Sequence, residues 1–142
     1  MRTLVLAIAG LAGAVPLMAQ APTPSDTATP LVQEIATIRV GQTRNGLLEA
    51  GDYVMGDGTW ADVWYVQATA GQRFVVELRS RRFDAYLQLL DPWGNKLAED
   101  DDGAGNGDAR ITFTAREAGR YQVVVNNFGD TPATGTYTLA LR

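Results

Sequence analysis

RFDAYLQLLDPWGNKLAEDDDGAGNGDARITF, residues 82–113, decides how the chain is read. Leu87 and Leu89 alternate with Gln88, the period of a strand with one buried face. Asp91-Pro92-Trp93-Gly94-Asn95 is a turn by composition. Pro92 presets φ at the first central position, and Gly94 and Asn95 tolerate the left-handed conformation that closes it. A second strand follows, then a loop that gathers Glu99, Asp100, Asp101, Asp102 and Asp108 around three glycines. Ala109 to Ala115 makes a third strand, with Ile111 and Phe113 against Thr112 and Thr114. The unit is therefore strand, tight turn, strand, acidic glycine loop, strand.

Segments of the same kind frame it. Ile35, Ile38 and Val40 suggest a first strand ended by Gly41, and Leu47-Leu48 a short extended piece. Trp60 to Ala68 is a further strand with Asp62, Trp64 and Val66 on one face. Gln72 to Ser80 places Phe74, Val76 and Leu78 inward and Arg73, Glu77 and Arg79 outward. Tyr121, Val123 and Val125 share a face downstream, as do Tyr137, Leu139 and Leu141. No helical period interrupts the pattern. Short alternating segments punctuated by glycine predict an all-β fold, an antiparallel β-sandwich of jelly-roll type with eight to nine strands.

The 142 residues suit one such domain, spanning 35–142. Residues 1–19 have the form of a signal peptide, with Arg2 as the positive n-region and an apolar run too short to span a bilayer. Cleavage is expected after Ala19, with Ala21 as the alternative. Residues 20–34 are a linker rich in Pro, Thr and Ala. The expected address is secreted or periplasmic. Cleavage after Ala19 leaves 11 basic and 16 acidic side chains, a net charge of −5. That argues against nucleic acid and against a membrane surface as partners.

The chain has no histidine and no cysteine. No Ser-His-Asp or Cys-His relay can be built, nor a zinc site of imidazole or thiolate. The one lysine, Lys96, lies beside a turn, a poor place for a desolvated nucleophile. Paired carboxylates run glycoside hydrolysis only in a cleft that raises one pKa, and no cleft-forming insertion is visible. The chain is read as a non-enzyme, with a hydrolase as the remote alternative.

The pieces VGQTRNGLL, GDGTWADVWYVQATAGQRFVVELRS, FDAYLQLLDPWGN, LAEDDDGAGNGDARITF, EAGRYQVVVNNF and TGTYTLAL run in order from Val40 to Leu141. In this order they resemble the bacterial pre-peptidase C-terminal (PPC) domain family. The resemblance implies a jelly-roll sandwich that accompanies secreted proteases and serves secretion, stability or substrate binding. Collagenase-type relatives bind calcium and collagen. Arg81 and Arg82 depart from the family, standing where a polar or acidic residue is more usual. Trp93 fills a turn position usually held by a small polar residue. No protease segment precedes the domain here, so any exported protease partner is expected to be separately encoded.

The acidic loop carries the candidate metal site. Ca²⁺ takes six to eight oxygens from carboxylates, carbonyls and water. Asp100, Asp101, Asp102, Asn106 and Asp108 supply side-chain oxygens, with Asp62 and Asp84 as recruits from neighbouring strands. The EF-hand template fails, because Ala98 and Ala109 fall on its first and last ligand positions. The competing reading is a solvated loop whose aspartates cap turns. If Ca²⁺ binds, its role is structural. Trp60, Tyr65 and Trp93 are the candidate contact aromatics, with Trp60 and Trp64 also suited to the core. Trp93 is preferred because Pro92 and Gly94 hold it at a turn tip. Arg79, Arg81 and Arg82 form a basic patch, suited to an anionic polymer or to the neighbouring acidic loop. The expected function is a binding module for an extracellular protein or polysaccharide, through a rim with Trp93, Arg81 and Arg82. The alternative is a secretion or stability accessory for an exported protease.

Overall fold

The computed structural model describes residues 36–142. The expected signal peptide and linker lie outside the described residues. Nine strands follow: β1 (Gln42–Leu48), β2 (Tyr53–Val54), β3 (Trp60–Ala68), β4 (Arg73–Ser80), β5 (Ala85–Leu90), β6 (Lys96–Asp100), β7 (Ala109–Thr114), β8 (Gly119–Asn127) and β9 (Gly135–Leu141). They form two antiparallel sheets, ordered β1-β9-β4-β7 and β2-β3-β8-β5-β6. Apart from the β2–β3 and β5–β6 hairpins, each sheet joins strands that are distant in sequence. The chain crosses between sheets after β1, β3, β4, β6, β7 and β8. This is the jelly-roll arrangement that the alternation predicted.

The inward rows are those of the sequence. Phe74, Val76 and Leu78 on β4 face Leu87 and Leu89 on β5 and Val123 and Val125 on β8, all at most 1% exposed. Aromatic clusters fill both ends of the core. Phe74, Phe113 and Tyr121 meet with ring centroids 5.6 to 6.4 Å apart. At the other end Phe83 meets Tyr137 edge-on at 6.4 Å. Such pairs add to area burial by about 0.5–1.5 kcal/mol each.

Of the strand expected from Ile35, Ile38 and Val40, Ile35 lies outside the described residues, and residues 36–40 form no strand. Thr37 makes a single parallel bridge to Tyr65, and β1 begins only at Gln42. Gly41, at φ 88°, turns the chain there, and the Gln42 amide donates to the Arg39 carbonyl at 3.0 Å. Ile38 still serves the core, fully buried at the sheet edge, but Val40 is left exposed on the turn.

Strand direction fixes two ends. The β5–β6 turn (residues 91–95) lies at one end, beside the turns at 69–72 and 115–118. The acidic loop (101–108) and the segment 81–84 lie at the other, about 20 Å away along the six residues of β5.

Candidate functional site

The turn that carries Trp93 is built by Asp91. Its Oδ1 accepts from the Trp93 and Asn95 amides at 2.9 and 2.8 Å, and its Oδ2 accepts from Asn95 Nδ2 at 2.8 Å. Desolvation works against the charged form here, but these hydrogen bonds win and hold the Asp91 carboxyl below its usual range. Gly94 takes φ 91°, as the turn requires. Pro92 packs on Gly119, where a Cβ would stand 2.6 Å from Pro92 Cγ. Trp93 is thereby fixed at the backbone while 71% of it stays in solvent. Trp60 and Trp64 are half-buried against the core. Tyr65 is also half-buried, with the Arg120 guanidinium 4.5 Å from its ring centroid.

The acidic loop divides its carboxylates. Asp100 Oδ2 accepts from the Gly103 and Arg110 amides at 2.7 and 2.8 Å, the capping role of the second reading. Asp108 is buried and accepts from the Ser80 amide at 3.3 Å, tying the loop to the end of β4. Asn106 adopts φ 58°, between the positive-φ glycines 105 and 107. Asp84, Asp101 and Asp102 remain. Burial raises the Asp84 pKa, and the charges of Asp102 and Asp101 raise it further. Gly107 lets Asp84 approach, since a Cβ there would sit 3.0 Å from Asp84 Oδ1. Among the described residues, no three Asp, Glu, His or Cys side chains are arranged to hold a metal ion.

Asp62 points inward as its parity predicts, but its partner is not the acidic loop. It accepts a hydrogen bond from the Tyr137 hydroxyl. Burial raises its pKa against that hydrogen bond, helped by Asp52 and Glu49. The Tyr137 phenol is pushed far up by burial and by Asp62.

Trp93 does not share a rim with Arg81 and Arg82. Both arginines are exposed, but they follow β4 at the acidic-loop end. The sequence reading also missed a cluster. Glu77 faces outward on β4, yet it is only 4% exposed because arginines cover it. Arg110 Nε on β7 donates to it at 2.9 Å. Arg142, just past β9, donates at 3.0 Å, and Arg79 at 3.3 Å. Burial alone would raise the Glu77 pKa, but Arg110, Arg142 and Arg79 hold it below the usual range. The one available signal was parity, which put Arg73, Glu77 and Arg79 on one face. The flanking strands were not legible.

Residues 61–127 match the model of the family described as the bacterial pre-peptidase C-terminal domain. Over that stretch the chain is similar to a PPC domain. The PPC family is one of non-catalytic modules of secreted proteins, and the sandwich built here is its fold. Among solved structures, the pre-peptidase C-terminal domain of a Bacillus anthracis collagenase superposes with a TM-score of 0.58. It is 19% identical, over 75% of this chain and 93% of that one. PliG of Aeromonas hydrophila, a periplasmic inhibitor of g-type lysozyme, gives 0.51 at 14% identity, over 75% and 96%. CorA, a surface-associated copper-binding protein of Methylomicrobium album BG8, gives 0.50 at 11% identity, over 75% and 97%. These likenesses are of fold. No curated protein matches the chain in sequence.

Proposed function

We propose that this PPC-like domain is a secreted or periplasmic, non-enzymatic binding module that docks an extracellular protein or polysaccharide through the Trp93 end of the sandwich. The observation that supports it is the pairing of a rigid turn with an exposed indole. Asp91 immobilises the backbone, so an aromatic platform is offered with little ordering left to lose on binding. A pull-down on insoluble glycans and on collagen-like fibres tests the reading. Trp93→Ala is expected to cut retention severalfold while the melting temperature holds. Equal retention of the variant, or no retention of either protein, overturns it.

A structural Ca²⁺ belongs to the same proposal. Asp84, Asp101 and Asp102, which are not gathered as a ligand set, would have to close on the ion with loop carbonyls completing the oxygen set, and the ion would offset the Asp102 and Asp101 charges that add to burial in raising Asp84. Asp100 and Asp108 are committed to backbone amides and fit a supporting role. The accessory reading draws on the collagenase domain of the same fold. It predicts that co-expression raises the yield of an exported protease whether or not Trp93 is present.

A further inference from the structure

The outward face of the β1-β9-β4-β7 sheet is charged unlike the rest of the chain. The inward parity of Phe74, Val76 and Leu78 turns Arg73, Glu77 and Arg79 outward on β4. The register sets Arg110 of β7 directly opposite Glu77. Arg142 extends the β9 ladder, exchanging both backbone hydrogen bonds with Val75 at 2.7 and 2.9 Å. Four arginines thus share a face with one acid, a local charge of +3 on a chain whose net charge is −4. Glu77 binds three of them in place and cancels only one charge. Among the described residues, no ion pair reaches Arg73, nor Arg81 at the end of the same strand. The remaining outward positions are five threonines, Asn45, Ala140, Val75 and, on the edge strand β1, the exposed Leu47. At the Arg79 end the face opens into a cavity of about 510 Å³, lined by Arg79, Arg81, Asn45, Thr136 and Thr138. Its one acid, Asp108, is turned onto the Ser80 amide.

We propose that this sheet face, with the Arg79–Arg81 cavity as its anchor, docks an anionic polysaccharide carrying carboxylate or sulfate groups. The proposal rests on the binding-module reading but uses a different surface from Trp93. Guanidinium forks fit carboxylate and sulfate oxygens in bidentate geometry. Hydroxyl and amide side chains between the arginines suit sugar hydroxyls. Arg73 and Arg79 stand about 20 Å apart along β4, a span that matches an extended oligomer and exceeds a single ion. The face exposes no aromatic side chain, and Tyr137, which borders the cavity, is only 2% exposed. It therefore lacks the aromatic anchors of a protein interface and the stacking platform of single-stranded nucleic acid.

Affinity electrophoresis of the full chain through gels containing polygalacturonate, dextran sulfate or neutral dextran tests this. Retardation is expected in one or both acidic gels and not in dextran, and the two acidic gels separate carboxylate from sulfate. Retardation should weaken steeply with salt, as counterion release requires. Arg79→Gln with Arg110→Gln should lower affinity at least tenfold. Because that pair strips partners from Glu77, Arg73→Gln with Arg81→Gln serves as a second variant and should lower it at least threefold at an unchanged melting temperature. Trp93→Ala should be retarded like the wild type. Retardation that is lost with Trp93 and kept by both arginine pairs overturns this proposal and leaves the binding module standing. Binding to polyglutamate without binding to either acidic glycan also overturns it, in favour of an acidic polypeptide. Failure in every gel and on every insoluble polymer overturns both readings.

Discussion

Tyr137 of β9 donates its hydroxyl hydrogen to the Asp62 carboxylate of β3, a hydrogen bond that crosses from sheet to sheet at the acidic-loop end. The same hydroxyl accepts from Trp64 Nε1 at 2.8 Å. Tyr137 is 2% exposed and Asp62 only half-buried, so the network sits where the core meets solvent. Tyr137→Phe keeps the ring and its edge contact with Phe83 but strips a partner from both Asp62 and Trp64. A net loss of about 1–3 kcal/mol is expected, read as a lower urea midpoint at unchanged m-value. A change within about 0.3 kcal/mol would mean that water replaces the hydroxyl without cost.

Gly46 exists to admit that tyrosine. It pairs with Tyr137 across β1 and β9, and a Cβ at position 46 would stand 2.1 Å from Tyr137 Cζ. Gly46→Ala must displace the ring and with it the Asp62 hydrogen bond. The expected cost is about 1–3 kcal/mol. A double-mutant cycle isolates the cause. In a Tyr137→Ala background the ring is gone, and Gly46→Ala should cost much less. Additive losses would show that the glycine answers to some other contact.

The alternation of Phe74, Val76 and Leu78, or of Tyr137, Leu139 and Leu141, was legible because strand parity is a local property of the chain. Two-sheet architecture followed from it, and so did the exposure of Trp93 on a proline-glycine turn. The inward aim of Asp62 was legible too, but not its partner, which lies 75 residues away. Glu77 looked solvated for the same reason. Arg110 and Arg142, 33 and 65 residues distant, reach it only because β7 and β9 flank β4. Ile38 and Val40 misled because their apolar side chains suggest a strand, whereas Gly41 turns the chain and, of the two, Ile38 alone is buried. The separation of Trp93 from Arg81 and Arg82 depends on strand length and direction, which motif spacing does not carry.

Asp62 and Glu77 should give stability slopes of opposite sign against pH. Burial raises the Asp62 pKa above its ordinary 3.8. The native state then holds the proton more tightly, so this residue's contribution is full below pH 3.8 and is lost as pH rises through the folded value. Asp62→Asn should therefore gain on the wild type between about pH 4 and 7. Glu77 is the reverse. Its arginines lower the pKa below 4.5 despite burial, so its contribution is present above pH 4.5 and lost as pH falls through the folded value. Glu77→Gln should be less stable than the wild type at pH 7 by about 1.5–3 kcal/mol, the range for hydrogen bonds to charged groups, with the gap closing in acid. Urea titrations of both variants from pH 3 to 8 check this. Parallel slopes for the two would contradict the assigned environments.

Gly119 offers a way to move Trp93 without altering it. Pro92 Cγ lies 2.6 Å from where a Gly119 Cβ would stand, and the proline ring, held between Asp91 and the capped Trp93 amide, cannot swing aside by a rotamer change. Gly119→Ala must therefore lift the whole β5–β6 turn off the start of β8. The aromatic core residues, including neighbouring Tyr121, keep their contacts, so a stability loss below about 1 kcal/mol is expected, the lower bound for overpacking relieved at a surface turn. If rigid presentation of the indole is what the binding module uses, Gly119→Ala should lose polymer retention nearly as fully as Trp93→Ala. Retention by Gly119→Ala together with loss in Trp93→Ala would show that the indole alone suffices. In that case the Asp91 network only shapes the turn.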